Sequence, residues 1–147
     1  ARAAHTRSEP TVERINLKAL LFGIVADIGV TFVASVLLLL LFAHDLVTPD
    51  MPPEEADAVM QELLARGDFL LASLAIGLAC STLGGYVAAR TAGKDLYLHA
   101  GLVGIASLLL GLFTGASGPF WFNVAGYVLV LPAALYGGYL ADRRING

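Results

Sequence analysis

The sequence predicts an all-α, polytopic membrane protein: an up-down bundle of four transmembrane helices, with a short extracytoplasmic amphipathic helix between the first and the second. Three observations carry this reading. Hydrophobic residues make up 57% of the chain and charged residues only 14%, far from the balance of a water-soluble domain. Apolar runs of about 20 residues, the length that crosses a bilayer at a rise of about 1.5 Å per residue, follow one another along the chain. Charges gather at the ends of those runs, with one exception at Asp27.

The whole chain, 1–147, reads as a single membrane domain with no room for a separate soluble catalytic unit. Residues 1–16 form a polar cytoplasmic tail. The run that follows, 17–43, is too long for the core of a cleavable signal. As a helix it is about 40 Å long, more than the roughly 30 Å hydrocarbon core, so it tilts or projects beyond the surface. Residues 44–68 form an acidic extracytoplasmic connection containing PPEEADAVMQELLARG. Pro52 or Pro53 fits the first turn of a helix there, Glu54, Glu55 and Asp57 complement its positive end, and Gly67 supplies the stop. Val59, Met60, Leu63 and Leu64 share one face, which suits a helix on the membrane surface or against the bundle. The acidic face reads either as a docking surface for a basic partner or as a solvated face that keeps the loop soluble. The second, third and fourth spans are 69–89, 96–115 and 122–141, and 142–147 form a second cytoplasmic tail. Short links between the last three spans force antiparallel neighbours. Pro132, which lacks an amide hydrogen, should kink the fourth span or leave the Val128 carbonyl without its usual partner.

Orientation follows from the basic residues. Arg2, Arg7, Arg14, Lys18, Arg90, Lys94, Arg143 and Arg144 fall on one side and Arg66 alone on the other. Lys and Arg are retained on the cytoplasmic side during insertion, which places both termini in the cytoplasm. The opposite side carries Asp45, Asp50, Glu54, Glu55, Asp57, Glu62 and Asp68, with the aromatic cluster Phe120, Trp121 and Phe122 at the outer interface. The net charge of -3 offers nothing to nucleic acid.

The chain repeats itself. GGYVAAR at 84–90 returns as GGYLADR at 137–143, and KALLFGI at 18–24 resembles HAGLVGI at 99–105. The matches suggest a duplicated helical hairpin, against which stands chance similarity among apolar helices. In either case paired glycines let helices approach closely where lipid supplies no hydrophobic drive. Gly77, Gly84, Gly85, Gly104, Gly137 and Gly138 are the expected packing positions. Gly77 and Gly85 lie on a stripe with Ser73 and Ser81 in the second span, Gly104 on one with Ala100 and Gly111 in the third, and Gly137 on one with Ala133 and Ala141 in the fourth. Tyr86, Arg90, Trp121, Tyr139 and Arg143 are the expected interface anchors, with the arginines snorkelling to the headgroups.

Asp27 is the most informative residue. It lies about 13 Å along the helix from Lys18, near the middle of the hydrocarbon, where an ionised carboxylate must be protonated, paired or facing a wet cavity. Thr31 and Ser35 continue its face, and Ser81 and Ser107 reach a similar depth on other spans. Two readings follow: a neutral carboxyl acting as interhelical glue through those hydroxyls, or a proton or cation carrier. No metal site is expected. His5, His44 and His99 lie at different depths, and the single cysteine, Cys80, excludes a multi-cysteine cluster. No cofactor is expected either, although one histidine could offer a single axial contact to a pigment or haem in a larger assembly. No phosphate-binding loop or nucleophile-base pair is visible, so the chain does not read as an enzyme.

At GGYVAARTAGKDLYLHAGLVGIASLLLGL, residues 84–112, the chain resembles small four-helix bacterial inner-membrane proteins of unknown function with a GGY-x-A-x-R segment. That resemblance implies the fold and carries no activity. A carboxylate in the first of four helices is also similar to small multidrug-resistance transporters, from which the long acidic connection at 44–68 departs.

The functional expectation is a non-enzymatic accessory or scaffold subunit of a larger membrane complex, held through small-residue faces. Its partners would be the bilayer and other membrane subunits, or itself as a homo-oligomer. The alternative is a small proton-coupled transporter or channel centred on Asp27. The charge distribution generates a first prediction: impermeant cysteine labelling at positions 57 and 147 should reach opposite faces of the membrane, and labelling of both from one face would remove the four-crossing topology.

Overall fold

The computed structural model describes residues 15–46, 48, 50–115 and 118–147. It is all-helical: α1 (Leu17–Ala43), α2 (Pro53–Ala65), α3 (Gly67–Ala92), α4 (Leu96–Thr114) and α5 (Phe120–Asn146). Of these, α1, α3, α4 and α5 are long and apolar enough to cross a membrane. Arg2, Arg7 and Arg14, which contribute to the orientation argument, lie outside the described residues, as does His5.

Local chemistry sets the boundaries. The Asn16 side chain caps α1 by accepting the Ala19 amide at 3.3 Å. Pro53 opens α2, and Glu54 and Glu55 occupy its first turn. Gly67 is not the stop expected for this helix. The break falls at Arg66, which is extended at φ -88° and ψ 120° and serves as the last cap of α2 and the first of α3. The Asp68 carboxylate explains the shift. It accepts the Phe69 amide at 2.9 Å and the Arg66 guanidinium at 2.9 Å, so the new helix starts at Gly67. At its far end α3 outruns the expected boundary and stops where Gly93, left-handed at φ 68°, donates its amide to Ala89 at 3.1 Å. Asp95, also left-handed at φ 48°, turns the chain into α4. The fourth span likewise exceeds expectation, and α5 continues through Pro132 without interruption.

Contacts between residues give the packing directions. Phe69, at the start of α3, packs on Leu38 near the end of α1, whereas Gly84 near the end of α3 meets Gly23 near the start of α1. These helices are therefore antiparallel. So are α4 and α5, where Gly111 faces Tyr127, Gly104 faces Leu131 and Gly138 faces Ala100. By contrast α3 and α5 run parallel. Helix α4 touches α1, α3 and α5, while α1 and α5 make no contact among the described residues.

Two small cores mark the two ends. At the end bearing α2, Leu38, Ala43, Leu63 and Phe69 are buried together, with Leu63 carrying α2 onto α1 and α3. At the end where α1 begins and α5 finishes, hereafter the terminal end, the core is Ala89, Leu96, Ala100 and Ala141. Small residues there bring backbones together. A β-carbon on Gly85 would strike the Ala134 carbonyl, and one on Gly137 would strike the Thr82 carbonyl and the Tyr86 amide. One on Gly138 would lie 2.8 Å from Ala100 Cβ, and one on Gly104 would lie 3.0 Å from Ala134 Cβ.

The repeated segments reuse one device with a shifted register. In the first copy Gly84 faces α1 and Gly85 faces α5; in the second Gly137 faces α3 and Gly138 faces α4. The inter-hairpin contact therefore uses the second glycine of one copy and the first of the other. Neighbouring residues point about 100° apart on a helix, so a glycine pair relieves two adjacent faces at once. The anchors do recur in step: Arg90 lies 6.0 Å from the Tyr86 ring and Arg143 lies 5.8 Å from the Tyr139 ring.

Gly77 differs from the other expected packing glycines. Nothing lies within 4 Å of a β-carbon there, because the residue faces a cavity. Gly85→Leu and Gly137→Leu should each destabilise the bundle by about 1 to 3 kcal/mol through overpacking against backbone, whereas Gly77→Leu should leave thermal unfolding in detergent near wild type. Equal melting of all three variants would contradict this packing.

Candidate functional site

Asp27 lies where the tight half of the bundle ends. It is buried, at 7% exposure, and its stem rests on a glycine: a β-carbon on Gly84 would sit 2.7 Å from Asp27 Cβ. Gly23, one turn earlier on α1, allows this approach. A β-carbon on Gly23 would meet Ala88 Cβ at 2.6 Å, Val103 Cγ2 at 2.8 Å and the Gly84 carbonyl at 2.9 Å. Gly23 and Gly84 thus clear space for a side chain that would otherwise be squeezed out between α1 and α3.

The carboxyl group itself reaches α4, where the Ser107 hydroxyl is hydrogen-bonded to Asp27 Oδ2. That hydroxyl also lies 3.0 Å from the Val103 carbonyl oxygen of its own helix. A serine hydroxyl carries one hydrogen and can also accept, so the arrangement accommodates two protonation states. With Asp27 ionised, Ser107 donates to the carboxylate. With Asp27 protonated, the carboxyl donates to Ser107, whose own hydrogen turns to the Val103 carbonyl. Ser81, buried on α3, faces the same carboxyl.

Away from the terminal end the helices enclose less tightly packed space. The contacts of α1 with α4 run from Asn16 and His99, through Gly23 and Val103, to Asp27 and Ser107. Beyond Asp27 lies a cavity of about 630 Å³, open and not enclosed, lined by all four long helices. Asp27, Thr31, Ser35, Ser81 and Ser107 all border it, so the structure gathers every residue of the expected polar site. Ser73, Thr114, Asn123 and Tyr127 also line it. Periodicity hides Asn123 and Tyr127, because each sits among apolar neighbours of α5 as an isolated polar residue. A second cavity of about 240 Å³ shares Thr31, Ser35, Ser73 and Gly77 with the first and is bordered by Met60 of α2.

No protein family, curated protein or solved structure matches this chain. The reading of the site therefore rests on its own chemistry. Among the described residues no group of three or more His, Cys, Asp or Glu side chains is placed to hold a metal. His99 is buried with both ring nitrogens engaged. Nε2 accepts the Asn16 amide at 2.9 Å, and Nδ1 donates to the Asp95 carbonyl at 3.0 Å, a tautomer fixed by the amide. This pins the start of α1 to the start of α4. His44 lies exposed, 2.9 Å from Asp45. The expected anchors take separate places at the bundle ends, away from Asp27: Arg90 donates to the Tyr86 hydroxyl at 2.7 Å, and Trp121 packs edge-on against Phe122. At the α2 end, hydrogen bonding to Asp68 holds the Arg66 pKa above its usual value, and the guanidinium lies 5.5 Å from the centre of the Phe42 ring.

Asp27→Asn retains a hydrogen-bonding side chain of the same shape and should leave the melting temperature almost unchanged. Asp27→Leu should cost roughly 1 kcal/mol, the scale of one interhelical hydrogen bond in a membrane protein. Gly84→Val should cost about 1 to 3 kcal/mol, by driving a side chain into the Asp27 stem. Thermal unfolding in detergent ranks the three, and a Gly84→Val protein as stable as the Asn variant would contradict the geometry.

Proposed function

We propose that this protein is a small proton-coupled transporter or channel of a bacterial inner membrane, working through Asp27, with both termini in the cytoplasm. The observation that supports it is the open cavity of about 630 Å³ that ends on the Asp27 carboxyl. A buried carboxyl that serves as glue needs a partner, and Ser107 provides one. It does not need an open approach lined by hydroxyls. The paired options of Ser107, donating or accepting, give Asp27 a satisfied hydrogen bond in either protonation state, which is what a reversible proton site requires.

The orientation draws on Lys18, Arg90, Lys94, Arg143 and Arg144 at the terminal end against Arg66 at the other. In that orientation the cavity lies in the outer half of the bundle and the glycine-packed half closes the cytoplasmic side. The accessory-subunit reading relied on small-residue faces left for partners. Gly84, Gly85, Gly104, Gly137 and Gly138 are instead occupied by helices of this chain, which shifts the balance to Asp27. A second copy is not needed to complete the cavity, since one chain supplies all four walls. The function is non-enzymatic: the gathered groups hold and release a proton, and no covalent step is assigned to them.

The test uses purified protein in liposomes loaded with a pH-sensitive dye. A pH gradient is imposed with sodium, potassium or choline supplied in turn on the opposite side. Wild type should pass protons with at least one of them, and Asp27→Asn, shown to be folded by its melting temperature, should slow this at least tenfold. Equal rates in the two proteins, or none in either, would overturn the reading.

A further inference from the structure

Helix α1 meets α4 in a row of contacts with a polar bond at each end. Asn16 donates its amide to His99 Nε2 at 2.9 Å, Gly23 meets Val103, and Asp27 meets Ser107. His99, Val103 and Ser107 follow at four-residue spacing, so one face of α4 carries all three. The far bond, between Asp27 and Ser107, survives either protonation state of Asp27. The bond at the terminal end survives only one state of His99. A neutral imidazole has one nitrogen that donates and one that accepts. Nδ1 donates to the Asp95 carbonyl at 3.0 Å, which leaves Nε2 to accept. Protonation adds a hydrogen to Nε2, and two N–H groups then face each other.

Little else holds this end of α1. Over residues 16–23 only Ala19 and Gly23 are buried, whereas Leu17, Leu21 and Phe22 are 71%, 63% and 60% exposed. Nor does nearby charge hold a protonated ring in place. The charged side chains on the surrounding elements are Lys18 on α1, Arg90 on α3, Lys94 and Asp95 in the link to α4, and Asp142, Arg143 and Arg144 on α5. The phenols of Tyr86, Tyr97 and Tyr139 are the other titratable groups at that end. Among the described residues no carboxylate lies within ion-pair distance of His99. Asp95 is exposed and offers only its backbone carbonyl, and Asp142 is engaged by Tyr97 and Asn146. His99 is fully buried, and an unpaired charge there is costly. A protonated ring must reach water, and the lightly packed start of α1 is the part of the fold that yields.

We propose that His99 is a proton-operated latch: neutral, it holds the start of α1 on α4; protonated, it releases the first two turns of α1 and opens the glycine-packed half of the bundle at the terminal end. The proton comes from water at that end and adds to the Nε2 lone pair, while the Asn16 amide exchanges Nε2 for water. Gly23 and Gly84 lie between this end and Asp27, so release clears a second approach to the carboxyl. That consequence rests on the reading of Asp27 as an exchangeable proton site; the latch itself does not.

Spin labels on Leu17→Cys and Ile105→Cys, in the full chain with Cys80→Ala, test the latch by pulsed electron paramagnetic resonance in liposomes. From about pH 8 to about pH 5, the range in which histidines change charge, wild type should gain a reversible second population. Its distance should be longer by about one helical turn, roughly 5 Å. Asp27→Asn should keep this response. His99→Gln supplies an uncharged acceptor in place of Nε2 and should stay short at both pH values, whereas His99→Phe, with no acceptor, should be long at both. The inference is overturned if wild type ignores pH, if Asp27→Asn abolishes the response, if His99→Gln opens as wild type does, or if His99→Phe is short at pH 8. Proton passage in dye-loaded liposomes separates this inference from the reading of Asp27. His99→Gln should slow passage at least tenfold, and a closed His99→Gln protein passing protons at the wild-type rate would overturn the gating role. No passage in wild type, with opening that depends on His99, would remove the Asp27 reading and leave the latch standing.

Discussion

The contact of Gly23, Gly84 and the Asp27 stem constrains everything around it. Helix axes normally stand about 8 to 10 Å apart according to the side chains between them, and glycine on both sides of an interface places α1 and α3 at the near limit. A carboxylate-bearing side chain is then inserted at the margin of that contact, where the glycine pair ends and larger residues begin. Toward the terminal end the helices continue on alanine and glycine. Toward α2 they must accommodate Leu38, Leu63 and Phe69, and the separation those side chains enforce leaves the space that Thr31, Ser35 and Gly77 line. The cavity is thus a geometric result of unequal side-chain size along four helices.

The same arrangement settles where polarity can be tolerated. An isolated charge in hydrocarbon is costly, and polar side chains in membrane helices turn to the bundle interior or to a wet cavity. Asp27 does both. Its stem is enclosed and its carboxyl group meets Ser107 at the boundary of the open space. Among the described residues no buried side-chain nitrogen or oxygen lacks a hydrogen-bond partner. Hydroxyls such as those of Ser73 on Phe69 and Thr82 on Leu78 satisfy their hydrogen on their own helix backbone and can still accept from a second partner.

Much of this architecture is legible in the sequence, for reasons that differ by element. The span of α1 coincides with its apolar run because Asn16 caps one end and the polarity of His44 and Asp45 marks the other. The ends of α3 and α5 are read short, because helices extend past the hydrocarbon as long as backbone partners persist, and composition records only the apolar part. The break at Arg66 is displaced from Gly67 because a side-chain bond from Asp68, not the conformational freedom of glycine, decides it. In the site, Asp27 with Thr31 and Ser35 follows from helical spacing, and Ser81 and Ser107 from depth. Asn123, Tyr127 and the engagement of His99 with Asn16 depend on which helices become neighbours, which periodicity within one helix does not encode. Gly77 shares the spacing of the packing stripe but lies beyond the level at which the helices part.

The separation in sequence between Asp27 and Ser107 bears on biogenesis. They are 80 residues apart, and Asn16 and His99 are 83 apart, so α1 leaves the ribosome well before either partner has been made. Once α3 has been made, Gly84 can already house the Asp27 stem, but the hydroxyl on α4 has yet to arrive. The nascent first hairpin therefore carries an unfinished polar group through the interval, and the late hairpin of α4 and α5 completes it. A product truncated after α3 would keep the glycine seam of Gly23 and Gly84 yet present the Asp27 carboxyl without Ser107.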